Sequence, residues 1–363
     1  MKKEKNQTSI YLGMAGIVGL GLLLSGCGMG PEDLDGFDVG EAALRCTNCE
    51  SGGDPPITSS PTPLPVCSAP LSRCGYTCVN LTNDPRNCGS CGNQCQGGCS
   101  AGVCEKFIYQ GGRVISNADI IAVYLGTPTA SFRASMDHFY AELQRDGRYL
   151  DWLSEYNTPS QTIGRGRFLG SYVIQPPGGG LDQAGIGAHL DHEIHYGRLP
   201  GTTANTVYMV HVAPSIRLVS GAVIFGSRVG AWPGDGWCAM HLEYISGSTG
   251  RGTTLPPIVY AILPNVPACG QSMAFQTYIA SHELVEAITN PASVFFSLSF
   301  LSYTVGQGPW AWVIPKESSF LNPKEIADVC EGQYRQLRTS PAPGDVFTVS
   351  AVYSNRRASC YSP

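Results

Sequence analysis

The sequence predicts an α+β domain built on a mixed β-sheet, preceded by a small disulfide-rich module. Three observations lead there. Between residues 106 and 363, short β-rich apolar runs alternate with stretches of helical periodicity, and tight hairpin signals are few. Residues 67–104 hold eight cysteines among Gly, Asn, Pro and Ser, with almost no apolar side chains. The whole chain is 43% hydrophobic, enough for a sizeable core, and only 14% charged, about half the usual share.

The chain opens with a targeting pattern over residues 1–27. Lys2, Lys3 and Lys5 form a positive start, and an apolar run follows from Ile10 to Leu24. That run is roughly 15 residues, short of the ~20 needed to span a bilayer. It ends in Leu24-Ser25-Gly26-Cys27, which resembles the lipobox of bacterial lipoproteins. The resemblance implies cleavage before Cys27 and lipidation of its thiol. Gly28, where an Asp would retain the protein at the inner membrane, implies export to the outer membrane or cell surface. The membrane partner is then reached through the lipid anchor, whose buried methylenes contribute about 0.8 kcal/mol each.

Residues 28–66 read as a disordered Pro/Ser/Gly-rich tether, ending in Ser59-Ser60-Pro61-Thr62-Pro63-Leu64-Pro65. Cys46 and Cys49 lie inside it, spaced for a local disulfide. The next stretch, 67–105, is too poor in apolar residues to fold on a core, so four disulfides are expected to hold it. The competing reading is a zinc module, because Cys88 and Cys91 have ligand spacing. An extracytoplasmic setting favours disulfides. The string from Cys74 to Cys95 resembles a Cys-rich repeat of secreted myxobacterial proteins, which implies a surface spacer or binding module.

With Cys27 lipidated, every segment holds an even number of the 15 cysteines. The last domain has Cys238, Cys269, Cys330 and Cys360. Of the three pairings open to them, we expect Cys238–Cys269 with Cys330–Cys360. The net charge is −5, and the first 27 residues hold three lysines and one glutamate, so their removal makes it more negative. That balance argues against a nucleic-acid partner.

In the domain 106–363, strands are predicted over Val114–Leu125, Phe168–Ile174, Thr206–Val212, Gly221–Phe225, Ile258–Leu263 and Val346–Tyr353. Helices are predicted over Thr129–Leu143, Leu181–Tyr196 and Phe275–Thr289, the last closed by Asn290-Pro291.

The last helix carries the informative residues. His282 and Glu286 are four apart, one turn on the same face, so both can reach one ion. Glu283 lies about 100° round and can flank the ion without ligating it. This is the arrangement of the helix H-E-x-x-H, whose Glu is the general base, with Glu286 in place of the second His. The replacement makes the site less positive. That lowers the pKa of bound water less and shifts preference towards harder ions such as Mn²⁺ or Ca²⁺. Further along, Glu325 and Asp328 share one face if their segment is helical.

The stretch Ser281-His282-Glu283-Leu284-Val285-Glu286-Ala287-Ile288-Thr289-Asn290-Pro291 resembles the SHELxEAxTDP segment of secreted bacterial and fungal proteins similar to the EXORDIUM, or phosphate-induced, family. Asn205–Val210, Cys238–His241, Val259–Pro264, Glu325–Cys330 and Tyr353–Asn355 look alike in the same order. The resemblance covers about 107–361 and implies a zincin-like domain with a metal site. In glutamate-type zincins a downstream Glu is the third ligand and a nearby Asp orients the first His. That implies Glu325 as ligand and Asp328 behind it, with the reverse assignment open. This chain departs from the pattern at Asn290, where the bacterial segment has Asp, and in the apolar stretch Val294–Val313.

Other residues offer further readings. His241 is read as a fourth ligand or cleft hydrogen-bonding group, against a core histidine beside a disulfide. His189, His192 and His195 recur every three residues and drift round their helix, so a solvated face is the better reading than a second metal site. His211 reads as structural. Ser281 has no Ser/His/Asp set around it. The expected function is a surface-anchored lipoprotein with a zinc-dependent, peptidase-like hydrolase domain, in which Glu283 activates the metal-bound water. The alternative is a non-catalytic lipoprotein that binds extracellular or cell-wall polysaccharide or protein, its metal structural or vestigial.

Overall fold

The computed structural model describes residues 64–178, 180–218, 238–245, 256–292, 309–314, 324–339 and 344–361. The expected targeting segment with Cys27, nearly all of the expected tether, the β-run expected at Gly221–Phe225 and most of Val294–Val313 lie outside the described residues.

The elements that matter are β1 (Asn117–Leu125), α1 (Ala130–Asp146), β2 (Gly164–Ile174), α2 (Gln183–His195), β3 (Thr206–Val212), β4 (Met240–Tyr244), β5 (Ile258–Pro264), α3 (Met273–Thr289), β6 (Tyr334–Arg338) and β7 (Val346–Ser350). Five strands form one mixed sheet in the order β2-β1-β3-β5-β4. The first four run parallel, and β4 joins β5 antiparallel at the edge. β3 and β5 are buried along their whole length, because helices cover both faces.

Strand alternation divides the core in two. Ile120, Ala122 and Tyr124 of β1, Val207 and Met209 of β3, and Val259, Ala261 and Leu263 of β5 face α1 and α3. Their neighbours Ile121, Val123, Tyr208, Val210, Tyr260 and Ile262 face α2, meeting Ile186, Leu190 and Ile194. The same alternation acts on β4. Met240, Leu242 and Tyr244 join the α2 side, so His241 and Glu243 point towards α3. The sequence reading treated Cys238–His241 as a landmark and missed the strand that aims His241.

Each long helix starts at a side-chain cap: Thr129, Asp182 and Ser272 accept the N–H of Phe132, Gly185 and Phe275. Against α3 lies the antiparallel hairpin β6–β7. Thr277 donates its hydroxyl to Thr348 O at 2.8 Å, and Ser281 Oγ accepts the Ser350 N–H at 2.9 Å. Ser281 is therefore a fully buried packing residue. The single strand expected over Val346–Tyr353 is two: the chain leaves the hairpin at Ala351, and Val352–Ser354 pairs instead with Ser359–Tyr361.

The cysteine-rich stretch is held by Cys67–Cys78, Cys74–Cys91, Cys88–Cys99 and Cys95–Cys104. It contacts the rest of the fold through Lys324 Nζ on Gly97 O (2.6 Å) and the Tyr353 hydroxyl on Glu105 O (3.1 Å). Cys238–Cys269 and Cys330–Cys360 are also bonded, the pairing expected. Among the described residues no helix is long and apolar enough to cross a membrane.

Candidate metal centre

A cleft of about 450 Å³ lies beside α3 and the edge strand β4. His282, Glu283 and Glu286 come from α3, His241 from β4, and Glu325, Asp328 and Glu331 from the segment after Ile314. Tyr278, Phe275, Ile279 and Met240 supply its apolar wall. No lysine or arginine is among the described residues lining it.

Glu286 is the hub. It is buried, and its Oε1 accepts the backbone N–H groups of Ala327 (3.1 Å) and Asp328 (3.0 Å). Those bonds dock the downstream segment on the helix. The condition under which Glu325 and Asp328 would share a face, a helical segment, is not met: a turn leads into a 3-10 turn at Asp328–Cys330. The physical reason is that the Ala327 and Asp328 amides bond to the Glu286 side chain rather than to a preceding helical turn. Glu325 and Asp328 consequently go to different partners. One ligand atom each of His282, Glu286 and Asp328 lie within 4.8 Å of one another. Glu325 joins His241 and Glu286 in a second such group. Asp328, not Glu325, is therefore the downstream carboxylate grouped with His282.

The distances bear this out. His282 Nε2 is 3.4 Å from Glu286 Oε1 and 3.5 Å from Asp328 Oδ1. His241 Nδ1 is 3.4 Å from Glu283 Oε2 and 3.7 Å from Glu286 Oε2. His241 Nε2 faces the Asn290 carbonyl at 3.1 Å and Glu325 Oε1 at 3.4 Å. Asn290 also donates Nδ2–H to Glu325 Oε1 (2.6 Å) and accepts the Ala311 N–H on Oδ1 (2.9 Å). Asn290 thus ties together the end of α3, the β4 histidine and the downstream carboxylate.

The electrostatics follow from burial without a lysine or arginine among the described lining residues. Burial works against the charged form of both histidines, yet the carboxylates outweigh it. Asp328 and Glu283 raise His282 to about 9, and Glu325 with Glu283 and Glu286 raises His241 to about 10. Burial, reinforced by the neighbouring acids, pushes Glu286 well above the usual carboxylate range. Burial likewise lifts Glu325 to about 7, against the pull of His241. The cleft attracts positive charge. Imidazole and carboxylate donors, assembled without a competing ammonium or guanidinium, fit a divalent cation.

His189, His192 and His211 are not among the residues that line this cleft. His189, His192 and Glu193 also come within 4.8 Å of one another. Arg198, however, already holds both Glu193 oxygens at 2.5 and 2.7 Å, and His189 Nε2 is 2.8 Å from Gln175 O. His211 is a core residue whose Nε2 lies 2.9 Å from the Tyr140 hydroxyl. The sulfurs of Cys88, Cys95 and Cys104 cluster too, but all three are in disulfides.

Comparison of the chain with known protein families, with curated proteins and with solved structures gives no match.

Proposed function

We propose that this chain is a lipid-anchored surface protein whose large domain is a zinc-dependent, peptidase-like hydrolase of zincin-like fold. One observation carries the reading: a single helix turn presents His282, Glu283 and Glu286 to an open cleft, and Asp328 closes on the same histidine.

His282, Glu286 and Asp328 would hold the cation. When bound, the cation supplies Lewis-acid activation of water and of a substrate carbonyl. The chain's own residues do the rest. Glu283 lines the cleft next to the ligand histidine and accepts the proton of the attacking water. His241 Nδ1 lies 3.4 Å from Glu283 Oε2. The Ala327 and Asp328 amides keep Glu286 from turning away. Tyr278, Phe275 and Ile279 offer an apolar wall for a side chain of an extracellular peptide. Lys2, Lys3, Lys5 and the Leu24–Cys27 segment support the anchor reading.

The test is metal content and hydrolysis together. Purified protein offered zinc should bind it, and His282→Ala and Asp328→Ala should lose it. A peptide library should be cut by wild type and left intact by Glu283→Gln, which keeps its zinc. No bound metal in the wild type would sink the hydrolase and leave the cleft to a non-catalytic polysaccharide- or protein-binding role.

A further inference from the structure

Glu286 belongs to both ligand groups of the cleft, one with His282 and Asp328, the other with His241 and Glu325. The two histidines sit at different oxygens of its carboxylate: His282 Nε2 at 3.4 Å from Oε1, His241 Nδ1 at 3.7 Å from Oε2. We propose that the cleft holds two divalent cations bridged by Glu286, the second bound by His241, Glu286 and Glu325. This rests on the reading of the first position given above.

Three observations carry it. The first is stoichiometry of charge. Glu283, Glu286, Glu325, Asp328 and Glu331 line one cleft with no lysine or arginine among the described lining residues. One dication offsets two of these five charges. Two offset four and leave both imidazoles neutral, as ligands must be. The second is orientation. His241 is 2% exposed, and its Nε2 lies 3.1 Å from the Asn290 carbonyl. Its Nδ1 faces Glu286 Oε2 at 3.7 Å and its Nε2 faces Glu325 Oε1 at 3.4 Å, so the ring sits between the two carboxylates that would share the cation with it, one atom of each of the three within 4.8 Å of the others. The third is that Asn290 also fixes Glu325, by its 2.6 Å Nδ2 bond. One residue thus positions two donors that the first cation does not use. A bridging carboxylate suits the ~3.5–4 Å spacing of two-metal sites, where the pair stabilises the attacking and leaving oxygens of a displacement.

The experiment is a metal titration of the full chain. Protein stripped with chelator is titrated with Zn²⁺ by calorimetry, and the bound metal is counted by mass spectrometry. A parallel sample loaded with Mn²⁺ is read by electron paramagnetic resonance. We expect two equivalents in the wild type and an exchange-coupled Mn²⁺ pair. Glu325→Gln should retain one equivalent and show an isolated Mn²⁺ signal. Asn290→Ala should weaken the second equivalent about 10–100-fold. One equivalent in the wild type, lost in His282→Ala and kept in Glu325→Gln, overturns the second cation and leaves the first. Two equivalents that persist in Glu325→Gln put the second ion elsewhere and also overturn it. Uncoupled Mn²⁺ in the wild type does the same, without relying on a variant. No bound metal at all overturns both readings.

Discussion

Asp328 donates its backbone N–H to Glu286 Oε1 at 3.0 Å across 42 residues of chain, and sets its own carboxylate 3.5 Å from His282. The helix and the downstream segment are thereby one construction: the side chain that would bind a cation also anchors the segment that supplies its neighbour. Substitutions at position 286 should separate these two jobs. Glu286→Ala leaves the Ala327 and Asp328 amides without their acceptor and opens a cavity, so it should cost about 2–5 kcal/mol of stability. Glu286→Gln keeps an acceptor oxygen and removes a buried carboxylate, so in chelator it should stay within about 1 kcal/mol of wild type. Both should lose bound metal. Denaturant melts with and without chelator check this. Equal stability of the two variants would show that the amide bonds matter little.

The Cys330–Cys360 disulfide closes over a separation of 30 residues and lies two residues beyond Asp328. It fixes the buried end of the 3-10 turn to the strand pair at the C-terminal end of the fold. Replacing both cysteines by serine should cost about 2–4 kcal/mol. It should also weaken cation binding, because the segment carrying Glu325 and Asp328 loses its downstream tether. Titration calorimetry on the folded double variant distinguishes the two effects. Affinity equal to wild type would mean that the Glu286 bonds alone position Asp328.

Gly187 packs α2 tightly against the sheet. A Cβ there would lie 2.8 Å from the Tyr260 hydroxyl oxygen and 2.9 Å from Tyr244 Cβ. The Tyr260 hydroxyl cannot easily yield, since it donates to Gln183 O at 2.9 Å. Ala is favoured over Gly in a helix interior by about 1 kcal/mol, while overpacking a tight contact costs about 1–3 kcal/mol. Gly187→Ala should therefore lower the thermal midpoint, against the helix-propensity trend. A raised midpoint would show that the helix can shift outward at little cost.

Much of this was legible in the sequence, and the losses are instructive. The four-residue spacing of His282 and Glu286 is a local property of a helix, so it survived folding unchanged. The cysteine pairing of the last domain was expected among three possibilities and is the one present. The partnership of Glu325 was not legible, because it depends on side chain-to-backbone bonds at Ala327 and Asp328 that turn the segment out of a helix. The place of His241 was only half legible. Met240-His241-Leu242-Glu243-Tyr244 alternates apolar and polar side chains, a strand signal, but the pattern points its polar side to solvent, whereas His241 and Glu243 are buried and face α3. Glu243 is matched there by Arg113 at 2.6 Å, a pairing 130 residues apart that no local pattern announces.

His211 contributes one component of the pH dependence of stability. It is 2% exposed, stacked on Tyr124 at 5.2 Å and edged by Phe132 at 5.5 Å, with Nε2 2.9 Å from the Tyr140 hydroxyl. Burial lowers its pKa from 6.5 to about 3. The unfolded chain therefore binds more protons than the folded one between these values, and stability rises with pH across that window. The contribution is fully present above 6.5 and is lost as pH falls towards 3. For one group the slope is at most about 1.4 kcal/mol per pH unit. His211→Gln retains a polar group beside Tyr140 and cannot titrate. Its unfolding free energy should fall less steeply than that of wild type between pH 6.5 and 4.5, whatever its value at neutral pH. Urea melts at half-unit intervals, run in chelator so that cation binding does not contribute, give the two slopes. Parallel curves would mean that His211 titrates alike in the folded and unfolded chains, and that its burial is relieved before the proton arrives.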